Sequence, residues 1–384
     1  MTDAPSLRHE FGPAFAGGVL ILATLGIAAW LHALDPERFY HSLREDEYVE
    51  WATFWAFLLA AAANGTAALG RQRARGGLPW FLLGLGLFCF VVAMEEISWG
   101  QRILGYRPPA YFLENNFQQE PNLHNTIGSA LRQDAFVGLI AAYGVVLPLL
   151  ALIPRLRRLI DTIGITAPPA LLTPGFSAAI WIYVDYPWRF TGEVVEFSVA
   201  LGFLFAACLS LRTEFSAPPA WSRQPTALVV LAALISLSLG SGSAALSRLQ
   251  RSASPEAIQS AQFELEALKH DFYAFEADPD GFFDFRCGLH KRLYTYVESY
   301  GADFLYEGEF AALTERGLPN DRADFFIDPW NSPYWIRSRC SEDFREQSVF
   351  LYSFGPDRVR DSSRWEFLDD DPGIYMLRIG LDAN

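Results

Sequence analysis

The sequence predicts an α-helical multi-span membrane bundle of about seven spans, followed by a small α+β domain in which one helix packs on an antiparallel sheet. Three observations carry this reading. Apolar stretches of roughly bilayer-spanning length recur through the first part of the chain, whereas a helical apolar stripe and then short alternating segments fill the remainder. The 384 residues are 51% hydrophobic and 19% charged, with a mean hydropathy of +0.13, too apolar for an ordinary soluble chain and too charged for one lying wholly in lipid. Charge divides the same way. Residues 1–246 hold 15 basic and 18 acidic side chains and residues 247–384 hold 15 and 26, so most of the net −14 sits in the tail.

The apolar stretches fall near 13–34, 50–70, 78–97, 134–153, 169–186, 193–211 and 225–246. Pro174, Asp185 and Pro187 interrupt or bound the fifth. The first follows a short, weakly basic N-terminus and lacks a small-residue cleavage site, so it is expected to stay as a span. Arginine collects at Arg71, Arg73 and Arg75, at Arg155, Arg157 and Arg158, and at Arg212 and Arg223. With seven spans those loops share one side, which the bias of basic residues makes cytoplasmic. The N-terminus is then cytoplasmic and the tail emerges on the outer side. The 35–49 loop with Glu45-Asp46-Glu47, the Glu95–Arg102 segment, the 103–133 loop and Asp185–Glu196 all fall on that outer side.

One of these segments is chemically conspicuous. The third apolar stretch runs through Cys89 to Met94 and ends in two adjacent glutamates, Glu95 and Glu96. A carboxylate at bilayer depth costs at least ~2.5 kcal/mol, so such residues face a cavity, a partner or a substrate. Helical spacing places Glu95, Ser98, Trp99 and Arg102 on one face, and pairs Arg189 with Glu193 and Glu193 with Glu196. Pro121 can open a helix that sets Glu120 and His124 one turn apart. Carboxylates with one imidazole can bind a divalent metal or divide general acid and base roles. Glu95, Glu96, Glu120, His124 and Glu193 are therefore the candidate catalytic set. Structural roles compete with this: Arg102 and Arg189 can neutralise neighbouring acids, Glu120 can cap a helix, and Trp99 and Trp188 can anchor at the interface. His124 has no His-x-x-x-His or Glu-x-x-His companion, so the pattern specifies no metal.

Nothing in the sequence supports several common chemistries. There is no Gly-x-Ser-x-Gly, no P-loop and no dinucleotide fingerprint. The acidic tail argues against nucleic acid as a partner.

In the tail, Ser254-Pro255-Glu256 starts a helix by N-cap and Pro-at-N1 signals. Ile258, Ala261, Leu265, Leu268 and Phe272 continue it as an apolar stripe, and Ser348–Ser353 and Ile374–Leu377 read as strands. Three ordered motifs follow the helix: Asp328-Pro329-Trp330-Asn331-Ser332-Pro333-Tyr334, Tyr352-Ser353-Phe354-Gly355-Pro356-Asp357 and Asp369-Asp370-Asp371. Together they resemble the C-terminal domain of the major pseudopilin of type II secretion, over about residues 247–384. The resemblance implies a helix packed on a small sheet outside the bacterial cytoplasmic (inner) membrane. It also implies a calcium site with Asp357, Asp369, Asp370 and Asp371 as candidate ligands, and carboxylate oxygens suit that ion. A solvated turn is the competing reading of the acidic run. Two departures limit the resemblance. Asn331 stands where the family usually has glycine, and the last span lacks the prepilin-peptidase site and the glutamate after it. Filament assembly is therefore not implied.

Cys287 and Cys340 are expected to form a disulfide, because the tail is placed where oxidation is permitted. Cys89 and Cys208 lie in apolar spans and read as small hydrophobes. The leading functional expectation is a non-catalytic envelope binding or secretion-related assembly protein, with membrane lipid and envelope or secretion proteins as partners. The alternative is a membrane hydrolase or transferase acting on a lipid or lipid-linked substrate. Transport comes third, since the acids gather at one face rather than mid-membrane and no inverted repeat is visible.

Overall fold

The computed structural model describes residues 7–43, 47–104, 106, 108–116, 120–123, 126–214, 224–250, 254–276, 285–299, 318, 325–356, 360–368 and 370–380. In chain order the helices are α1 (Leu7–Leu34), α2 (Pro36–Ser42), α3 (Tyr48–Arg75), α4 (Trp80–Glu96), α5 (Gln101–Leu104) and α6 (Ala110–Asn115). Next comes α7 (Ser129–Ile140), which runs through a π-helical segment (Ala141–Val146) into α8 (Leu147–Leu150). Then follow α9 (Pro154–Thr162), α10 (Thr173–Asp185), α11 (Thr191–Glu214), α12 (Pro225–Gln250), α13 (Pro255–Glu276) and α14 (Leu293–Glu298). The strands are β1 (His290–Arg292), β2 (Trp335–Cys340), β3 (Gln347–Tyr352) and β4 (Gly373–Ile379). The chain forms two compact units, one of residues 1–100 with 121–247 and one of residues 101–120 with 248–384.

The first unit is helical. Among the described residues five helices are long and apolar enough to cross a membrane: Phe11–Leu34, Tyr48–Arg75, Ala130–Leu150, Thr191–Glu214 and Pro225–Leu249. The stretches expected at 78–97 and 169–186 fall instead on shorter apolar helices, Trp80–Glu96 and Ala170–Asp185. α11 is the centre: 83% of its most apolar window is buried, against 17% for Ala130–Leu150. A helix apolar on every side is buried by its neighbours or by lipid, and the exposed Phe15, Trp30, Leu87, Leu152, Trp181 and Leu234 are side chains suited to lipid contact.

Small residues let these helices approach. Gly240 of α12 lies against Ala52 of α3, and Ser236 Oγ of α12 donates to the Ala52 carbonyl at 2.8 Å. Phe176 of α10 sits between Gly144 and Gly202, where any Cβ would collide with its ring. Packing of this kind holds membrane helices together where lipid removes the usual hydrophobic drive.

The second unit contains the sheet. Its strands run β1-β2-β3-β4, each antiparallel to the next. Leu265, Leu268 and Phe272 of α13 pack on Ile336, Val349, Leu351 and Met376, the one-helix-on-sheet arrangement expected. Asp328, fully buried, explains the Asp-Pro-Trp motif: Oδ1 accepts from the backbone N–H of Trp330 at 2.9 Å and of Ser332 at 2.8 Å, and Oδ2 accepts from Ser353 Oγ. Asn331, within that turn, has φ +62°, a conformation asparagine tolerates better than most residues. A disulfide joins Cys287 to Cys340 with their Cα atoms 5.3 Å apart. Residues 101–120 belong here too; Arg292 Nη1 donates to the Asn116 carbonyl at 3.0 Å.

Candidate functional site

α3 and α11 run parallel, and α4 returns antiparallel to α3, so the membrane unit has two chemically distinct ends. At one, Arg71 near the end of α3 donates through Nε and Nη2 to the Glu214 carboxylate of α11 at 2.8 and 2.6 Å. Its remaining donors reach Gly164 O and Thr166 Oγ1, both at 2.9 Å. The arginine-bearing 71–75 segment, the segment after α9 and the end of α11 therefore meet on one side.

At the other end five glutamates gather. Glu50 opens α3, Glu95 and Glu96 close α4, and Glu193 and Glu196 open α11. The Glu96 carboxyl lies within electrostatic range of Glu196, Glu193, Glu50 and Glu95, in decreasing order of influence. All five are half-buried. Glu95 is held on both oxygens: Trp99 Nε1 donates to Oε1 at 2.7 Å, and the Leu123 amide donates to Oε2 at 2.6 Å. Tyr183 is within range of Glu196 and of Arg132, and its ring packs on Phe136 at 4.8 Å.

Two expectations from helical spacing are corrected here. α4 stops at Glu96, because Ser98 (φ +47°), Trp99 (φ +55°) and Gly100 (φ +78°) turn left-handed in succession. Trp99 reaches Glu95 by folding back through that turn, not along a helical face. Non-glycine residues in this region cost ~1–3 kcal/mol each and cluster at functional sites. Arg189 does not pair with Glu193: α11 begins at Thr191, after Phe190 at φ +61°, and the Arg189 guanidinium lies over the Phe190 ring at 4.6 Å.

Of the five residues singled out from sequence, Glu95, Glu96 and Glu193 come together. Glu120 belongs to the second unit, where it is buried, and His124 lies outside the described residues. Glu50, Arg132 and Tyr183 were missed, each being an isolated polar residue at a helix end. His32 was missed as well. Its Nε2 is 3.1 Å from the Tyr40 hydroxyl, and its ring lies against those of Trp188, Phe39 and Tyr40 beside the start of α11. The indole nitrogens of Trp51 and Trp188, at this same end, are buried without a hydrogen-bond partner among the described residues; buried donors of this kind signal an ordered water or a ligand.

An apolar cavity of about 750 Å³ lies between α4 and the α7–π–α8 helix, lined from Trp80, near the arginine end, to Phe88. Phe81, Leu85 and Phe88 line it from α4, Tyr143 and Leu147 from the facing helix, and Phe203 from α11. Helical periodicity continues the Phe81–Phe88 stripe to Val92, Glu95 and Glu96, and the Phe203 stripe back to Glu196. From Phe88 to Glu96 is about 12 Å along the axis at 1.5 Å per residue.

No group of three or more His, Cys, Asp or Glu side chains is placed to hold a metal ion among the described residues. Of the calcium ligands the resemblance implied, Asp357 and Asp369 lie outside those residues. Asp371 is buried, and its Oδ2 accepts from the backbone N–H groups of Asp361 at 3.1 Å and Ser362 at 2.7 Å. No family model, no curated protein and no solved structure matches the chain, so the pseudopilin resemblance rests on its three motifs.

Proposed function

We propose that the membrane unit is a hydrolase or group transferase acting on a lipid or lipid-linked substrate at its acidic end. The observation that supports this best is the position of Glu96, partly accessible among carboxylates from three helices and aligned with an apolar groove. A lipid whose polar head sits at Glu96 can lay its chain along the Phe88–Phe81 stripe. Carboxylates from three helices can divide the roles of general base and general acid. One then takes a proton from the attacking water or hydroxyl, and another delivers one to the leaving oxygen. Arg132 and the Tyr183 hydroxyl stand where they can orient an anionic headgroup. In this reading the arginine end is cytoplasmic and the acidic end faces outward, following the bias of basic residues.

The test uses full-length protein in nanodiscs made from a polar lipid extract, with products followed by mass spectrometry. Wild type is expected to generate a new lipid or headgroup product. Glu96→Gln and Glu193→Gln should each lower its rate at least ~100-fold with no loss of melting temperature. A wild-type protein that forms no product from any lipid class in the extract would leave the envelope-binding reading in its place. Accumulation of a radiolabelled cation in sealed vesicles would point to transport instead.

A further inference from the structure

The sheet of the second unit has two unlike faces. Ile336, Val349 and Leu351 pack on α13. The alternate residues of the same strands form the opposite face, and the register sets His290 of β1 beside Arg337 of β2 and Phe350 of β3. Arg292, Trp335 and Tyr352 form the next row, and Arg339 and Ser348 the row on the other side. Three arginines in a small acidic domain have thus been collected on one side of a sheet.

Their hydrogen-bonding accounts do not close. Arg337 Nη1 and Arg339 Nε are buried without a hydrogen-bond partner among the described residues. A buried donor left unsatisfied is destabilising, so a partner is expected for it. The strongest influences on Arg337 are its burial, the Tyr352 hydroxyl to which it donates, and the further arginines Arg360 and Arg364. Tyr352, fully buried, also lies 2.8 Å from His290 Nε2. Burial and the charges of Arg337 and Arg360 push the His290 imidazole down to about 4, so at neutral pH it adds no charge but keeps its hydrogen-bonding nitrogens. An opposing acid, Asp371, lies within range of Tyr352, with Asp361 beside it. Burial raises the Asp371 carboxyl to about 7, and its Oδ2 is already taken by two backbone amides. Beside these groups the Trp335 and Phe354 rings stack at 5.0 Å, with the His290 ring 5.0 Å from Trp335.

We propose that this face binds a phosphate group, held by Arg337 with Arg360 against the Trp335–Phe354 wall, with Tyr352 fixing Arg337 and His290 in place. The cationic donors come from two segments of this unit, β2 and the stretch that holds Arg360. A doubly charged tetrahedral oxyanion uses such a set better than a single carboxylate, which one guanidinium fork satisfies. The phosphate can belong to a lipid headgroup or to a soluble phosphoryl compound.

The experiment takes full-length protein in detergent at constant ionic strength and titrates inorganic phosphate against a sodium chloride control, by calorimetry and thermal shift. One saturable site is expected. Arg337→Gln and Arg360→Gln should each weaken it at least tenfold, and Arg337→Lys should weaken it while keeping the phosphate-free melting temperature. Arg345→Gln, an exposed arginine paired with Asp343, should change nothing. Mixed micelles with and without phosphatidate separate the sources: competition by phosphatidate assigns a lipid headgroup, and its absence a soluble phosphoryl ligand. No saturable phosphate binding, or equal losses in Arg345→Gln and Arg337→Lys, would overturn the proposal and leave water as the partner of the orphaned guanidinium atoms.

Discussion

Glu214 and Glu96 sit on neighbouring helices of the same bundle, at opposite ends, and could hardly be treated more differently. Glu214 is nearly inaccessible, with both oxygens held by Arg71 and with Arg75 a further 3.8 Å contact. Glu96 is half-buried and stands among four like charges. The first arrangement is what a structural ion pair requires, since a buried carboxylate without its partner is strongly unfavourable. The second surrounds a carboxyl with groups of its own sign, which offer no compensating charge. Burial alone does not distinguish the two; whether the neighbours of an acid attract or repel its charge does.

The largest expected effect lies at the arginine end. Arg71→Met should cost about 3–5 kcal/mol by stranding Glu214, read as a fall in the thermal melting of the detergent-solubilised protein. Adding Glu214→Leu should recover most of it. A loss below about 1 kcal/mol in the single variant would place this pair with surface bridges and erase the contrast between the ends.

A smaller effect is expected from Trp99→Phe at the acidic end. It removes the indole donor to Glu95 and should cost about 1 kcal/mol, as a single partly exposed hydrogen bond does. Under the proposed function the rate of product formation should fall by more than that stability change accounts for, because Glu95 is freed from its fixed position. A matching, merely structural decrease in both would argue that the left-handed turn serves folding alone.

Asp371 is an intermediate case, with one oxygen satisfied and Oδ1 buried without a partner among the described residues. Burial is the main cause that pushes its carboxyl up to about 7, above the unfolded value of about 3.9. The folded protein therefore holds a proton that the unfolded chain has released. Its contribution to stability is fully present below pH ~4 and is lost as pH rises through about 7. Relative to wild type, Asp371→Asn should melt alike near pH 4 and progressively higher toward pH 8, followed by aromatic circular dichroism. A difference that shrinks with rising pH would mean that the Asp371 charge is stabilised in the fold, as a calcium ligand or an ion-pair partner would be.

The sequence by itself determined the division into an apolar helical part and an acidic tail, the helix-on-sheet plan of that tail, and the pairing of Cys287 with Cys340. These follow from local periodicity, from composition, and from the scarcity of cysteine. It also pointed to Glu95 and Glu96, because charge at the end of an apolar run is conspicuous without any knowledge of neighbours. Only the tertiary structure decided which acids are partners. Arg71 and Glu214 are 143 residues apart, and nothing in either segment marks the other. Glu50 and Glu196 join Glu96 for the same reason: a helical period tells which side chains share a face, but not which helix that face will meet. The left-handed turn at Ser98–Gly100 was equally hidden, since serine and tryptophan carry no local signal for positive φ and adopt it only where surrounding contacts compel them.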